Sequence, residues 1–288
     1  MSTRKTHCTF GLFLATGTLF AAEPPPDKSQ YHLFNPTPRE HMREMNTDRP
    51  DRTESPFTVD AGHFQVEADI VGYSYDAHNP ARDHTITESL AIGPINLKAG
   101  LRSNWDVQFV LTPYNAVRVR DRRTGQRDTD RGFGDFILRS KYNLWGNDDG
   151  NTAFALMPFV KFPTASGNLG NCAYEGGLIA PFAASLPWGW DMGAMTQVDI
   201  NEDADASGYH PEFVNSIVFW HDIVGSLAGY VEFFSSVSTD DDACWIGTVD
   251  CGLAYALTED IQLDAGINIG VTRAADDFNP FVGISWRF

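Results

Sequence analysis

The segment Ile261-Gln262-Leu263-Asp264-Ala265-Gly266-Ile267-Asn268-Ile269-Gly270 decides the fold class of this chain. Apolar and polar residues alternate along it without interruption. Successive side chains of a β-strand point to opposite faces, so the segment predicts a strand with one apolar and one polar face. The stretch that begins at Phe64 repeats the pattern, with Phe64, Val66, Ala68 and Ile70 alternating with Gln65, Glu67 and Asp69.

Twelve such runs follow one another from Gly62 to the last residue and predict an all-β protein. They lie near 62–75, 85–101, 105–117, 133–145, 151–163, 174–187, 190–201, 209–220, 226–237, 246–257, 261–270 and 279–288. Short connections near 102–104, 146–150, 188–189, 221–225 and 258–260 alternate with longer ones near 76–84, 118–132, 164–173, 202–208, 238–245 and 271–278. Tight turns on one side and long loops on the other are typical of a transmembrane, antiparallel, up-and-down β-barrel.

The tryptophans favour the same fold. Six lie near the short connections, namely Trp105, Trp145, Trp188, Trp190, Trp220 and Trp286, whereas Trp245 lies at a long loop. Because tryptophan concentrates at membrane–water interfaces, we expect a periplasmic aromatic girdle. A secreted soluble β-sandwich, the alternative fold, would scatter tryptophans through its core. The last strand ends at Phe288 and resembles the assembly signal of outer-membrane barrel proteins.

The N-terminus predicts export. Residues 1–22 form a signal peptide in which Arg4 and Lys5 precede an apolar run, Thr9 to Phe20, that is too short to span a bilayer as a helix. Residues 23–61 are rich in proline and charge, so we expect an extended N-terminal segment. Residues 62–288 form the barrel.

Charge and cysteine content limit the partners. The 288 residues carry a formal net charge of −17, which disfavours nucleic acid as a partner. No cysteine spacing typical of zinc is present, and we predict no metal or cofactor. Cys172 and Cys244 fall in or beside long loops, so any disulfide should join them. Cys251 falls on the apolar face of a strand, and we expect it to remain a free thiol.

Several motifs resemble a known outer-membrane family. They are Thr47-Asp48-Arg49-Pro50-Asp51, Glu54-Ser55-Pro56-Phe57-Thr58-Val59, Gly62-His63-Phe64-Gln65-Val66-Glu67, Gly132-Phe133-Gly134-Asp135, Lys141-Tyr142-Asn143-Leu144-Trp145-Gly146, Pro158-Phe159-Val160-Lys161-Phe162-Pro163-Thr164 and Leu263-Asp264-Ala265-Gly266. The family is described as putative MetA-pathway of phenol degradation and is often labelled a transporter. The resemblance covers nearly all of the mature chain. It implies a barrel and transport, and it suggests aromatic or otherwise hydrophobic solutes.

The polar faces of the strands predict which charged residues line the lumen. They are Glu67, Asp69, Asp106, Asp135, Glu175, Asp191, Asp199, Glu232, Asp250 and Asp264, together with Lys98, Arg139, Lys141, Lys161 and Arg287. Twelve strands lie between the small barrels that side chains fill and the large ones that stay open. The lumen is therefore either a polar diffusion path or a salt-bridged interior that only supports the wall.

The charged part of the N-terminal segment is the candidate gate. Asp48, Arg49, Asp51, Arg52 and Glu54 either enter the lumen as a plug or lie across its mouth as a periplasmic tether. As a plug, the arginines would pair with wall carboxylates such as Glu67 and Asp135. Acids outnumber bases on the expected lumen, so an open path should disfavour anions.

Two loop features have weaker functional interpretations. Arginines of 118–132 could bind lipopolysaccharide phosphates, although internal ion pairs in a solvated loop explain them too. Acidic loop tips near Glu202-Asp203, Asp205 and 240–242 could collect divalent cations, although no calcium-loop spacing is present and solvated acids are the default interpretation.

The sequence therefore predicts passive uptake of a small-molecule solute across the outer membrane. Its partners would be outer-membrane lipid, lipopolysaccharide and the barrel assembly machinery. Two alternatives remain. One is a packed barrel with a structural or adhesive role. The other is an outer-membrane lipid hydrolase, for which His84 and His210 lack a convincing serine partner. We do not expect an enzyme.

Overall fold

The computed structural model describes residues 27–82, 84–203, 205–240 and 243–288. The predicted signal peptide lies outside these residues. The strands are β1 (Phe64–Asp76), β2 (Thr85–Ile92), β3 (Ile95–Arg102), β4 (Trp105–Leu111), β5 (Tyr114–Asp121), β6 (Arg127–Gly132), β7 (Phe136–Trp145), β8 (Thr152–Phe162), β9 (Glu175–Leu186), β10 (Trp190–Glu202), β11 (Tyr209–Val224), β12 (Leu227–Ser238), β13 (Ile246–Thr258), β14 (Ile261–Gly270) and β15 (Phe278–Arg287). Single turns of 3-10 helix lie at Arg39–His41, Pro80–Arg82 and Pro187–Gly189.

Twelve strands close into an antiparallel barrel, which confirms the predicted fold. Each of β7 to β15 pairs with its neighbour in the chain, β7 pairs with β4, β4 with β3 and β3 with β1. The pairing of β1 with β15 closes the wall, with Val66 opposite Trp286. Phe64 and Phe288 also exchange two main-chain hydrogen bonds, and their rings stack with centroids 5.8 Å apart. The last residue is thus part of the closing seam.

Strands β2, β5 and β6 form a sheet that extends from the barrel at its loop end. The wall strands are interrupted at Gly93-Pro94, at Thr112-Pro113 and at residues 133–135. Proline cannot donate a ladder hydrogen bond, and the breaks lie beside one another on adjacent strands. The expectation of a long loop at 118–132 is therefore wrong: β5 and β6 form a hairpin whose turn is 122–126.

The outer surface of the barrel is an apolar band. Residues that alternate with buried inner residues are exposed and apolar on neighbouring strands, among them Val160, Leu178, Val198, Phe213, Val231, Phe233, Val249, Leu253, Leu263 and Val282. A band of this kind suits contact with lipid acyl chains. Because the strands alternate, the opposite face of each one lines the interior.

Candidate functional site

Residues 46–61, here called the inner segment, run through the interior of the barrel. The segment contacts wall residues of β1, β3, β4, β7, β11, β12 and β14. These strands are distributed around the whole circumference, so the segment lies within the lumen. It is not confined to a position across the mouth.

Asp48 is the most heavily paired residue of the inner segment. Its carboxylate accepts hydrogen bonds from Lys141 Nζ at 2.7 and 2.9 Å and from Lys98, whose Nζ also lies 2.5 Å from Glu67. All four side chains are buried. Burial alone would raise the pKa of Asp48, but Lys141 and Lys98 hold it below its ordinary value. The cluster is therefore a buried ion network, in which losing one partner is costly.

Arg49 joins the inner segment to β1 and β14, two strands on either side of β15. Its guanidinium lies 2.6 Å from Asp69 and 2.7 Å from Asp264, and it covers the ring of Phe281. Burial alone would lower the pKa of Arg49, but the two acids raise it. A side chain at Gly283 would overlap the guanidinium, so glycine is required there for the close approach.

The predicted arginine partners were wrong. Glu67 pairs with Lys98, and Asp135 lies 3.4 Å from Lys161. Arg49 instead uses Asp69 and Asp264. Lysines of the wall satisfy the two acids that the sequence suggested, because those lysines lie nearer to them.

Further along, the inner segment is held by a mixture of charged and neutral contacts. Glu232 accepts hydrogen bonds from the main-chain N–H of Arg52 at 2.9 Å and from Thr53 Oγ1 at 2.5 Å. Glu54 pairs with Arg139 at 2.6 Å. Main-chain groups also bond directly to the wall: Asn143 donates to Pro56 O, and Asp106 accepts from Val59 N.

Residues that precede the inner segment cover part of the short-turn mouth. Lys28 and Arg43 both pair with the buried Asp60, and Asp148 of the β7–β8 turn accepts a hydrogen bond from Lys28. Arg287 lies 2.8 Å from Asp260, which also binds Arg39. These contacts tie residues 28–43 to the inner segment and to two turns of the rim, β7–β8 and β13–β14.

The remaining predicted lumen residues divide into groups. Asp135, Lys161 and Glu175 form one cluster at the loop end, where Asp135 accepts from the main-chain N–H groups of Thr164 and Ala165. Asp135 thus holds the loop after β8. Asp199 is bonded by Gln197, and Asp250 by Thr248. Asp191 lines a cavity at the short-turn end.

Two cavities lie on opposite sides of the inner segment. The first, of about 450 Å3, is at the short-turn end and is lined by Asp191, Trp220 and Ala254 among others. The second, of about 270 Å3, is at the loop end, next to Ser74, Ser89 and Asn279. Arg49 and Asp51 line both cavities. The inner segment is therefore the partition between them.

One side of the inner wall is apolar, which the sequence analysis missed. Met157, Ile179, Met195, Val214 and Phe234 form a buried cluster on the inward faces of β8 to β12. We expected polar residues inside and apolar ones outside throughout. The signal was present in β8, where residues 153–160 are apolar on both faces. Such a run indicates a strand whose two faces both meet apolar surroundings.

The aromatic and cysteine predictions need two corrections. Trp220 does not belong to the outer girdle, because its Nε1 donates to Asp51 inside the barrel at 3.4 Å. Among the described cysteines, Cys172, Cys244 and Cys251 are exposed thiols, and no disulfide joins Cys172 to Cys244.

The loops bring three possible metal ligands together. Ligand atoms of Asp203, His210 and Asp240 lie within 4.8 Å of one another. His210 Nδ1 and Ser207 Oγ both bond to Asp203, so the imidazole is not placed on the serine hydroxyl. This geometry does not form a nucleophile–base pair.

None of the helices among the described residues is long and apolar enough to cross a membrane.

Known proteins give three findings. The chain resembles an outer membrane channel from Pseudomonas putida F1, with 14% identity, a TM-score of 0.59, and coverage of 84% of this chain and 100% of that chain. It also resembles the NanC porin, at 11% identity and a TM-score of 0.49 over 77% of this chain and 98% of that one. A weaker likeness, at 9% identity and a TM-score of 0.41, links it to the CymD monoaromatic hydrocarbon channel over 78% of this chain and 87% of that one. No curated protein matches the sequence.

A family model fits residues 47–288, that is, the whole inner segment except Asn46 together with the complete barrel. The closed twelve-stranded wall and its apolar outer band are those of an outer-membrane protein. The chain is an outer-membrane β-barrel that belongs to the family described as "Putative MetA-pathway of phenol degradation".

Proposed function

We propose that this protein is an outer-membrane channel for passive diffusion of small aromatic or otherwise apolar molecules, and that the inner segment is its gate. The observation that carries the proposal is the pair of cavities that meet at Arg49 and Asp51. A solute that displaced this one partition would pass from the loop end of the barrel to its short-turn end.

The contacts of the inner segment suit a removable gate. Most of them join side chains of the segment to side chains of the wall, and no disulfide fixes it. Buried ion pairs lose their desolvation cost when they separate into water, so their net stabilisation is modest. A segment held in this way can leave the lumen without unfolding the barrel.

The solute class follows from the wall and the family. A packed interior needs only complementary charges, whereas apolar wall residues such as Ala153, Val218 and Ala254 line the short-turn cavity, and a buried apolar cluster lies on the inward faces of β8 to β12. The family description refers to phenol degradation, and the Pseudomonas putida structure is an outer membrane channel. Apolar wall residues beside a polar partition suit single-ring molecules better than inorganic ions.

Planar-bilayer conductance tests the gate. We compare the full-length mature protein with a variant lacking residues 23–57, and a variant with a shortened 122–126 turn serves as control. The deletion should turn a small current into a larger, cation-preferring one, because wall acids would then face water. The control should behave like the full-length protein.

Uptake of toluene and glucose into proteoliposomes tests the solute class. Relative to protein-free liposomes, the full-length protein should increase the rate of toluene uptake more than the rate of glucose uptake. If neither the full-length nor the shortened protein conducts or admits solutes, the channel is excluded and a structural barrel is the better interpretation.

Two partners complete the proposal. The β5–β6 hairpin exposes arginines whose guanidinium groups suit lipopolysaccharide phosphates, among them Arg120, Arg122, Arg123 and Arg127. The barrel assembly machinery would bind the last strand through the terminal Phe288 before β1 and β15 pair.

A further inference from the structure

Arg52 differs from the other charged residues of the inner segment. Asp48, Arg49 and Glu54 each have an oppositely charged wall partner. Among the described residues, none forms an ion pair or hydrogen bond with the guanidinium of Arg52, which is exposed. It lies 3.4 Å above the centroid of the Phe234 ring. Its main-chain N–H is fixed by Glu232, so an anchored residue carries an unpaired cation.

Arg52 lines the loop-end cavity. Small residues, Gly72 and Ala91, leave space there, and the ring of Phe281 supplies an apolar wall. The volume of about 270 Å3 is just below the range of about 300–1,000 Å3 typical of ligand pockets. A molecule with a single ring fits such a space.

The other charges of the cavity are already balanced. Arg49 pairs with Asp69 at 2.6 Å and with a second acid, Asp264, at 2.7 Å. Burial and the neighbouring Glu232 raise the pKa of Asp51 well above its ordinary value, so this carboxyl adds less negative charge. Asp250, Glu232 and Asp276 attract the guanidinium of Arg52 from beyond ion-pair distance, so among the described residues it is the cation of the cavity whose N–H groups have no bonded partner.

We propose that the loop-end cavity binds a small aromatic carboxylate. The Arg52 guanidinium would donate hydrogen bonds to the carboxylate, and the Phe281 ring would pack against the aromatic ring. This inference rests on the proposed channel and names the solutes that the gate recognises. Phe234 covers one face of the guanidinium, and the N–H groups lie in the guanidinium plane. A carboxylate in that plane would accept a charge-assisted, two-point hydrogen bond.

Isothermal titration calorimetry on the full-length mature protein in detergent tests the inference without requiring transport. The probes are benzoate, its neutral isostere benzamide and the cation benzylammonium. Benzoate should bind about tenfold or more tightly than benzamide, which is the effect of one charge-assisted hydrogen bond, and benzylammonium should bind most weakly.

Arg52→Gln should reduce benzoate affinity to the level of benzamide. Arg127→Gln, which removes the same charge from the β5–β6 hairpin, should change nothing. A folded barrel changes its mobility in a denaturing gel on boiling, and retention of this heat-dependent shift identifies folded variants. Compared with Arg52→Gln, Arg52→Lys should restore part of the benzoate affinity. Equal binding of the three probes, or full benzoate affinity in Arg52→Gln, would overturn the inference. Selective binding by a barrel that never conducts would instead refute the channel and leave this site standing.

Discussion

Replacing Asp48 by asparagine removes one charge from the buried network that holds the inner segment in the lumen. The state with the segment in the lumen is here called the seated state, and the state with the segment outside it the unseated state. The substitution keeps the size of the side chain but leaves Lys141 without the carboxylate that lies 2.7 Å from its Nζ. Lys98 keeps Glu67 at 2.5 Å, so only one lysine loses its counter-charge. The effect therefore falls on the seated state and leaves the barrel wall in place.

The magnitude follows from the burial of that lysine. Lys141 is fully buried, and removing one partner of a buried ion pair costs about 3–5 kcal/mol. We expect the lower end, about 3 kcal/mol, because Asp106 remains near Lys141. Since 1.4 kcal/mol is a factor of ten, the unseated population should rise about a hundredfold.

Two measurements follow the unseated state. Current through planar bilayers should rise, and trypsin should cleave the chain after Arg52 faster. Asp128→Asn, on the exposed β5–β6 hairpin, is the charge-matched control and should match the wild type. Asp48→Asn/Lys141→Met should recover much of the seating, because it removes the orphaned cation. Unchanged current and unchanged cleavage in Asp48→Asn would refute the argument that this network holds the segment.

Three further predictions concern the same interior. Gly283→Leu should displace the guanidinium of Arg49 and raise the bilayer current, whereas an unchanged current would mean that the close approach is unimportant. The raised pKa of Asp51 means that its protonated form favours the seated state, so the bilayer current should increase as pH rises through that pKa. Asp51→Asn should flatten the dependence of current on pH. A current that falls as pH rises would contradict this prediction. Phe234→Ala removes part of the inner apolar cluster and should cost about 3–5 kcal/mol, seen as a lower temperature of gel-shift loss, while Phe233→Ala on the lipid face should cost less. Equal losses for the two phenylalanines would show that the inner cluster contributes nothing special.

Most strands could be placed along the chain because a period of two is a local property, although β6 lies in a segment that was predicted to be a loop. Ile261 to Gly270 contains all the information needed to assign its strand, its lipid face and its inner face. Alternating turn and loop lengths then predicted an antiparallel meander, and a meander with an apolar outer face closes to remove its edges. The break at Gly93-Pro94 was predictable for the same reason, since it follows from the backbone chemistry of two adjacent residues.

What the chain does inside the barrel was decided by contacts between distant residues. Arg49 and Asp264 are 215 positions apart, and nothing local distinguishes Asp264 from Glu67 or Asp135 as a partner. The choice depends on strand register and on which acids the lysines of the wall already neutralise. Likewise, the apolar inner cluster of β8 to β12 exists because five strands bring one side chain each to a common place. Alternation specifies which way a side chain points, but only closure of the barrel specifies what it meets there.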